Sequence, residues 1–332
     1  MAGIKDLVSG RLSEDKVRAL DLSKWDEADH LVQGNDLSVQ YLLVVDAINF
    51  CFWPDGTLEY EHISGNLKKA VEANPESISA KSLCAMTGER LRGLLAWPVA
   101  LPQEEERARL LREVGHSLRE DFGGEAANMV RAAEHSASRL VTLVTRHFPG
   151  FRDSCVYKGR QVFLYKRYVM IDCNAMQLFL LLLLSLSLCL SHSDSTFLFP
   201  SSSQRAQILV GDIWGCFKGE GLGYFKDIHR LTMFADYRVP VTLRELGVMT
   251  YSEELTSKVL SKEVMEPGSE YEVEIRACTV HAVEMIMEEM KRTFEDASLV
   301  PKSIELDWFL WRTGEARRSV SEPHHRVLTI FY

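Results

Sequence analysis

The chain has 332 residues, 46% of them apolar and 26% charged, with a net charge of −9; this is the balance of a cored globular protein and excludes disordered, collagen-like and coiled-coil chains. An acidic balance without any dense basic block excludes the phosphate-neutralising footprint of a nucleic-acid binder, while a small anionic ligand needs only a few local cations. Seven scattered cysteines, none spaced C-x-x-C, argue against a disulfide framework or a zinc site.

Residues 1–20 carry Lys5, Asp6, Arg11, Glu14, Asp15, Lys16 and Arg18 and no apolar h-region. No secretory signal is expected, and the expected compartment is the cytoplasm, with the nucleus also open. Residues 41–52 (YLLVVDAINFCF) form a continuous apolar run that suits a buried helix or a buried strand, interrupted only by Asp46 and Asn49. Helices are predicted over 104–117 and 125–147, the second stopped by Pro149-Gly150. Residues 156–166 alternate around Lys158-Gly159 and predict one hairpin.

Residues 176–191 read MQLFLLLLLSLSLCLS, and a Ser-rich aromatic run follows. Leucine without period or charge cannot give a soluble helix one apolar face. A membrane span needs ~18–20 apolar residues and a Lys/Arg bias in its flanks, neither of which is present. A buried core helix would be unusually uniform. The expectation is a retained intron. Arg167-Tyr168-Val169 can be encoded by AGG-TAT-GTN, which contains a splice-donor sequence, and the LSLSLCLS and FLFPSSSQ runs are what a pyrimidine tract spells. Gln204-Arg205 can supply the closing AG. Removal of 168–205 keeps the frame and leaves one arginine, joining Lys166-Arg to Ala206.

Further on, Gly219-Glu220-Gly221-Leu222-Gly223 lacks a phosphate-loop context and reads as a loop. Pro240 suits N1 of a short helix through Leu246 with Gly247 as terminator. Ser252 suits a helix cap, with Glu253 and Glu254 at the positive end of the dipole. Val273, Ala277, Val280, Val283, Met287, Met290 and Phe294 recur at helical steps, predicting one long amphipathic helix with Glu and Lys outward. Ser303 suits the cap of a helix containing Ile304 and Trp311. The expected fold is a single mainly α domain with a minor β element.

Chemistry is most legible where polar groups stand in apolar text. Asp236 lies in Thr232-Met233-Phe234-Ala235-Asp236-Tyr237-Arg238, just before the Pro240 helix. It reads as a site carboxylate or, more plainly, as a helix cap or partner of Arg238. Asp307 and Trp311 are four residues apart and share a helix face; a carboxylate among large rings needs a partner, either a structural Arg or a cationic ligand. His62 reads as a solvated histidine. No local nucleophile triad and no metal-ligand cluster can be assembled.

VVDAINFCFWPD (44–55), HSLREDFGGEAANMV (116–130), VFLYKR (162–167) joined to AQILVGDIW (206–214), FKDIHRLTMFADYRVP (225–240), LDWFLW (306–311) and HHRVLTIFY (324–332) resemble the queuosine salvage protein family. The resemblance runs over nearly the whole chain except the leucine-rich segment. It implies a helical architecture similar to DNA glycosylases and hydrolysis of queuosine 5′-monophosphate to queuine and ribose 5-phosphate, without a cofactor or metal. It implies Asp236 as the catalytic carboxylate, Phe234 stacking on the base, and Asp307 and Trp308 binding the base, with His62 in the same pocket. Arg312 departs from the acidic residue that relatives often carry there. Arg238, Lys226 and Lys166 are the candidate phosphate cations. The implied partner is the nucleotide substrate alone, with no direct nucleic acid and no membrane. The alternative is a non-catalytic nucleotide- or nucleic-acid-binding module on the same scaffold.

Overall fold

The computed structural model describes residues 2–20, 22, 24–25, 27–153, 155–157, 160–162 and 204–332. The apolar run near residue 41 resolves as a helix, Asp36–Ile48, in which every residue from Ser38 to Ile48 is buried. A helix without a polar face belongs in the middle of a domain. Asn35 caps it by accepting the Ser38 N–H, and the run leaves helical geometry at Asn49. Around this helix pack Tyr60–Ala73, Glu104–Asp121, Ala126–Ala132, Ala137–His147 and Gln204–Cys216.

A second core is built by Ala2–Ser9, Glu14–Ala19, Arg238–Glu245, Glu270–Thr293 and Ser303–Glu315. Phe234 and Trp308 bury into the first core, whereas their neighbours Ala235 and Leu306 bury into the second. The strand-free segment before Arg238 and the Ser303–Glu315 helix therefore run along the seam between the cores. The described residues are mainly α, with two small strand pairs. Cys155–Tyr157 pairs antiparallel with Arg160–Val162, as the alternation near Gly159 predicts. Val264–Met265 pairs in parallel with Arg326–Val327, a contact between distant segments that no local pattern announces. No helix among the described residues is long and apolar enough to cross a membrane. The leucine-rich run 176–191 lies outside the described residues.

Several helix expectations change. The helix expected over 125–147 is two helices, because Glu134 and His135 adopt left-handed backbone (φ 52° and 62°) and Ser136 starts a new helix by accepting the Arg139 N–H. Pro240 is the third residue of its helix rather than the first, which is still a turn whose N–H groups need no helical partner. Lys302, not Ser303, precedes the last long helix, and Glu305 reaches back to the Lys302 N–H. The Ser252 cap is present, accepting from Leu255 N. The long helix Glu270–Thr293 is present, but its polar residues are not all outward: Glu272, Glu274 and Arg276 are buried. Arg276 pairs with Asp153 and, at 3.3 Å, with Glu272, and it donates to Gln204 Oε1 at 2.8 Å. Tyr332 donates its hydroxyl to Glu272. That network ties the start of the Gln204–Cys216 helix and the last residue to one spot in the interior.

Candidate active site

A pocket opens along the seam between the two cores. Its walls are Trp25, His30, Asn49, Phe52 and Tyr60 from the first part of the chain and Gln204, Ile208 and Asp212 from one helix. Phe234, Asp236, Tyr237, Asp307, Trp308, Trp311, Arg312 and Tyr332 complete it. An aromatic pocket with a few convergent carboxylates fits a planar heterocycle bearing polar or charged substituents.

Asp236 sits just before the Arg238–Glu245 helix. Its Oδ1 accepts the N–H groups of Arg238 at 3.0 Å and Val239 at 2.8 Å. The helix-cap reading is therefore correct as far as it goes, and the cap fixes the carboxyl at the pocket edge with Oδ2 unengaged by the described residues. Burial pushes the Asp236 carboxyl up to about 7, against the lowering effect of the Val239 N–H and the nearby Arg238 guanidinium. Arg238 itself does not line the pocket; its Nε donates to Glu315 at 2.6 Å.

Asp307 projects from the Ser303–Glu315 helix, and its Oδ1 accepts the Phe234 N–H at 3.1 Å. Burial, then the adjacent Asp236, pushes its carboxyl well above the ordinary range. The same hydrogen bond locks the backbone that carries the Phe234 ring. That ring lies against Gly211, where a Cβ would come within 2.9 Å of Phe234 Cζ. Trp308 stacks on Trp214, with centroids 5.7 Å apart and planes 21° apart. Arg312 lines the pocket, and its Nη1 donates to Lys24 O.

The structure thus brings Asp236, Phe234, Asp307, Trp308 and Arg312 together. His62 is not among the pocket walls: its Nδ1 accepts the Glu59 N–H at 3.0 Å and its ring stands 5.2 Å from Trp97. Tyr60, at the start of the same helix, lines the pocket instead. Lys226 is exposed, its backbone N–H bound to His135 O, and it is not a pocket wall. Lys166 lies outside the described residues. Sequence reading missed Trp25, His30, Gln204, Asp212 and Tyr332. Asp212 carried the signal that marked Asp307, a lone carboxylate in an apolar run (AQILVGDIW). No group of three or more His, Cys, Asp or Glu side chains that could hold a metal occurs among the described residues.

The chain is mainly helical, and its seam pocket is lined by aromatic rings and by the carboxyls of Asp212, Asp236 and Asp307. The queuosine salvage protein family model matches residues 29–174 and 201–332, and the chain belongs to that family. A queuosine 5′-phosphate N-glycosylase/hydrolase of Dictyostelium discoideum is 43% identical over 297 residues, covering 90% of this chain and 79% of the relative. Proteins of the same description from Sphaerobacter thermophilus (34% identical; 93% of this chain, 85% of the relative) and Mus musculus (30%; 90% and 83%) also align along nearly the whole length.

Proposed function

We propose that this chain hydrolyses the N-glycosidic bond of queuosine 5′-monophosphate, releasing queuine and ribose 5-phosphate. The observation that carries this reading is one carboxylate, Asp236, fixed by two backbone N–H groups beside the Phe234 ring in a pocket closed by Asp307 and Trp308. As the C1′–N bond breaks, its electron pair stays with the base and positive charge grows on the sugar. An ionised Asp236 stabilises that charge and orients the attacking water, whose hydroxyl goes to C1′ and whose proton goes to the departing base. Phe234 and Trp308 supply stacking surfaces, and Asp307 an acceptor for the edge of the base. This hydrolysis needs no cofactor.

The segment 168–205 is proposed to be absent from the working protein. The family match breaks off at 174 and resumes at 201, skipping the whole leucine-rich run 176–191 while still covering 168–174 and 201–205. In the shortened chain Lys166 directly precedes the junction arginine, as Gln204 precedes Arg205 here. That would add the cation a 5′-phosphate calls for.

Incubation of the purified protein with queuosine 5′-monophosphate, followed by chromatographic detection of queuine, tests the reading. Release of queuine by the wild type and a loss of about 10²–10³ in kcat for Asp236→Asn are expected. Folded wild-type protein that releases no base overturns it.

A further inference from the structure

Behind the pocket lies a second pair of carboxyls that the proposed reaction does not use. Asp46 is buried in the middle of the Asp36–Ile48 helix, and neither of its carboxyl oxygens has a hydrogen-bond partner among the described groups. Across from it, Asp212 projects from the Gln204–Cys216 helix and lines the pocket, its Oδ1 accepting from Trp25 Nε1 at 3.0 Å. Each carboxyl is pushed upward, first by burial, and they stand within hydrogen-bonding reach of each other. One proton held between them satisfies one oxygen of Asp46 and leaves a single negative charge on the pair, with the Arg205 guanidinium near the Asp46 end.

The rings beside Asp212 form a chain along one pocket wall. Trp25 and His30 have centroids 4.4 Å apart, His30 and Tyr60 5.6 Å, and Tyr60 and Trp311 6.0 Å. One buried negative charge at the end of a wall of aromatic faces suits an alkylammonium group better than a neutral amide or hydroxyl.

We propose that Asp212, backed by Asp46, is a specificity-determining residue that receives the protonated amine on the side arm of a 7-deazaguanine base. This rests on the glycosidase reading and deepens it. Asp236 faces the sugar and Asp307 the base edge, so the third carboxylate is left for the arm. When the ammonium arrives, the charge of the pair settles on Asp212 and the shared proton on Asp46, with no net proton uptake. Asp46 is a positioning residue, acting only through Asp212.

The test compares two nearly isosteric substrates, the 5′-monophosphates of 7-aminomethyl- and 7-cyano-7-deazaguanosine, the first cationic and the second neutral. The wild type should prefer the amine in kcat/KM by about 10–100-fold, mainly through KM, the scale of a charge-assisted contact in a buried site. Asp212→Asn should collapse that preference to about threefold or less. Asp46→Asn, whose amide still donates to Asp212, should keep it, although both variants remove one carboxyl from the same pair. A structural role alone would not separate the two. Equal use of both substrates by the wild type, or an undiminished preference in Asp212→Asn, overturns the proposal even where a variant folds poorly. Hydrolysis of neither substrate, nor of queuosine 5′-monophosphate, by the wild type would instead sink the glycosidase reading itself.

Discussion

Asp236 shows how one side chain answers to both stability and chemistry. Its carboxyl is raised to about 7 because burial outweighs the two N–H donors and Arg238. The ionised form that can face an oxocarbenium ion therefore grows in as pH rises through 7, and kcat/KM is expected to fall about tenfold per pH unit on the acid side. Steady-state profiles between pH 5 and 9 check this; a flat profile separates Asp236 from the rate. The same shift has a stability sign. A folded pKa above the unfolded one means that the native state holds the proton more tightly, so this stabilisation is full below about pH 4, is lost progressively as pH rises from about 4 to about 7, and changes no further above that. Asp236→Asn keeps an oxygen for the Arg238 and Val239 N–H groups but removes the charge. It should raise stability at pH 8 by about 1–3 kcal/mol, a figure reduced for the solvent reaching the pocket edge, and by much less at pH 5. Thermal unfolding at the two pH values decides it. Asp236 and Asp307 were legible in the sequence because a carboxylate within apolar text needs an explanation. Trp25 and His30 were not, because they lie in an irregular segment and meet the pocket only through contacts with residues far along the chain.

Among the helices, Gln204–Cys216 does the most positioning, and its glycines explain how. Gly211 gives way to the Phe234 ring and Gly215 to Trp25, where a Cβ would fall 2.6 Å from Trp25 Cγ. Neither has a positive φ, so close approach rather than backbone freedom is the constraint. Gly211→Ala sets two effects against each other. Alanine favours the helix by about 1 kcal/mol, while its methyl drives the Phe234 ring toward the pocket. The expected outcome is a change in stability within about 1 kcal/mol together with a KM raised about tenfold, read from unfolding curves and steady-state kinetics on the same variant. An unchanged KM would show that the ring can yield without cost to binding. Helical periodicity located the helices near 104–117 and 273–294 but not their ends, and it announced neither Tyr60–Ala73 nor Gln204–Cys216. The break near residue 135 depends on two non-glycine residues in left-handed geometry, and the buried face of Glu270–Thr293 includes Arg276 because Asp153, Gln204 and the Tyr332 ring, from three other segments, surround it. Neither is encoded in local pattern.

Along the whole chain, residues 163–203 lead in sequence into the Gln204–Cys216 helix. Arg205 stands at that junction, fully buried, with its guanidinium donating to Asp46 O at 2.7 Å and Gly150 O at 2.8 Å and lying over the rings of Phe50 and Phe151. A buried arginine this fully engaged is costly to replace, by about 3–5 kcal/mol. Removal of 168–205 nevertheless keeps it, since Arg167 then directly precedes Ala206. The shortened connection has four residues, 163–166, before that arginine, about a tenfold reduction in length. Closing the shorter connection costs about 2 kcal/mol less chain entropy, an upward shift of about 3 °C in Tm for a chain of this size. It also removes an uncharged leucine run that promotes association of unfolded chains. The shortened protein is therefore expected to be more soluble, to melt a few degrees higher, and to have a lower KM for the 5′-phosphate through Lys166. Parallel calorimetry and kinetics on the two chain lengths measure all three. A shortened chain that fails to fold while the full chain folds would show that 168–205 belongs to the protein.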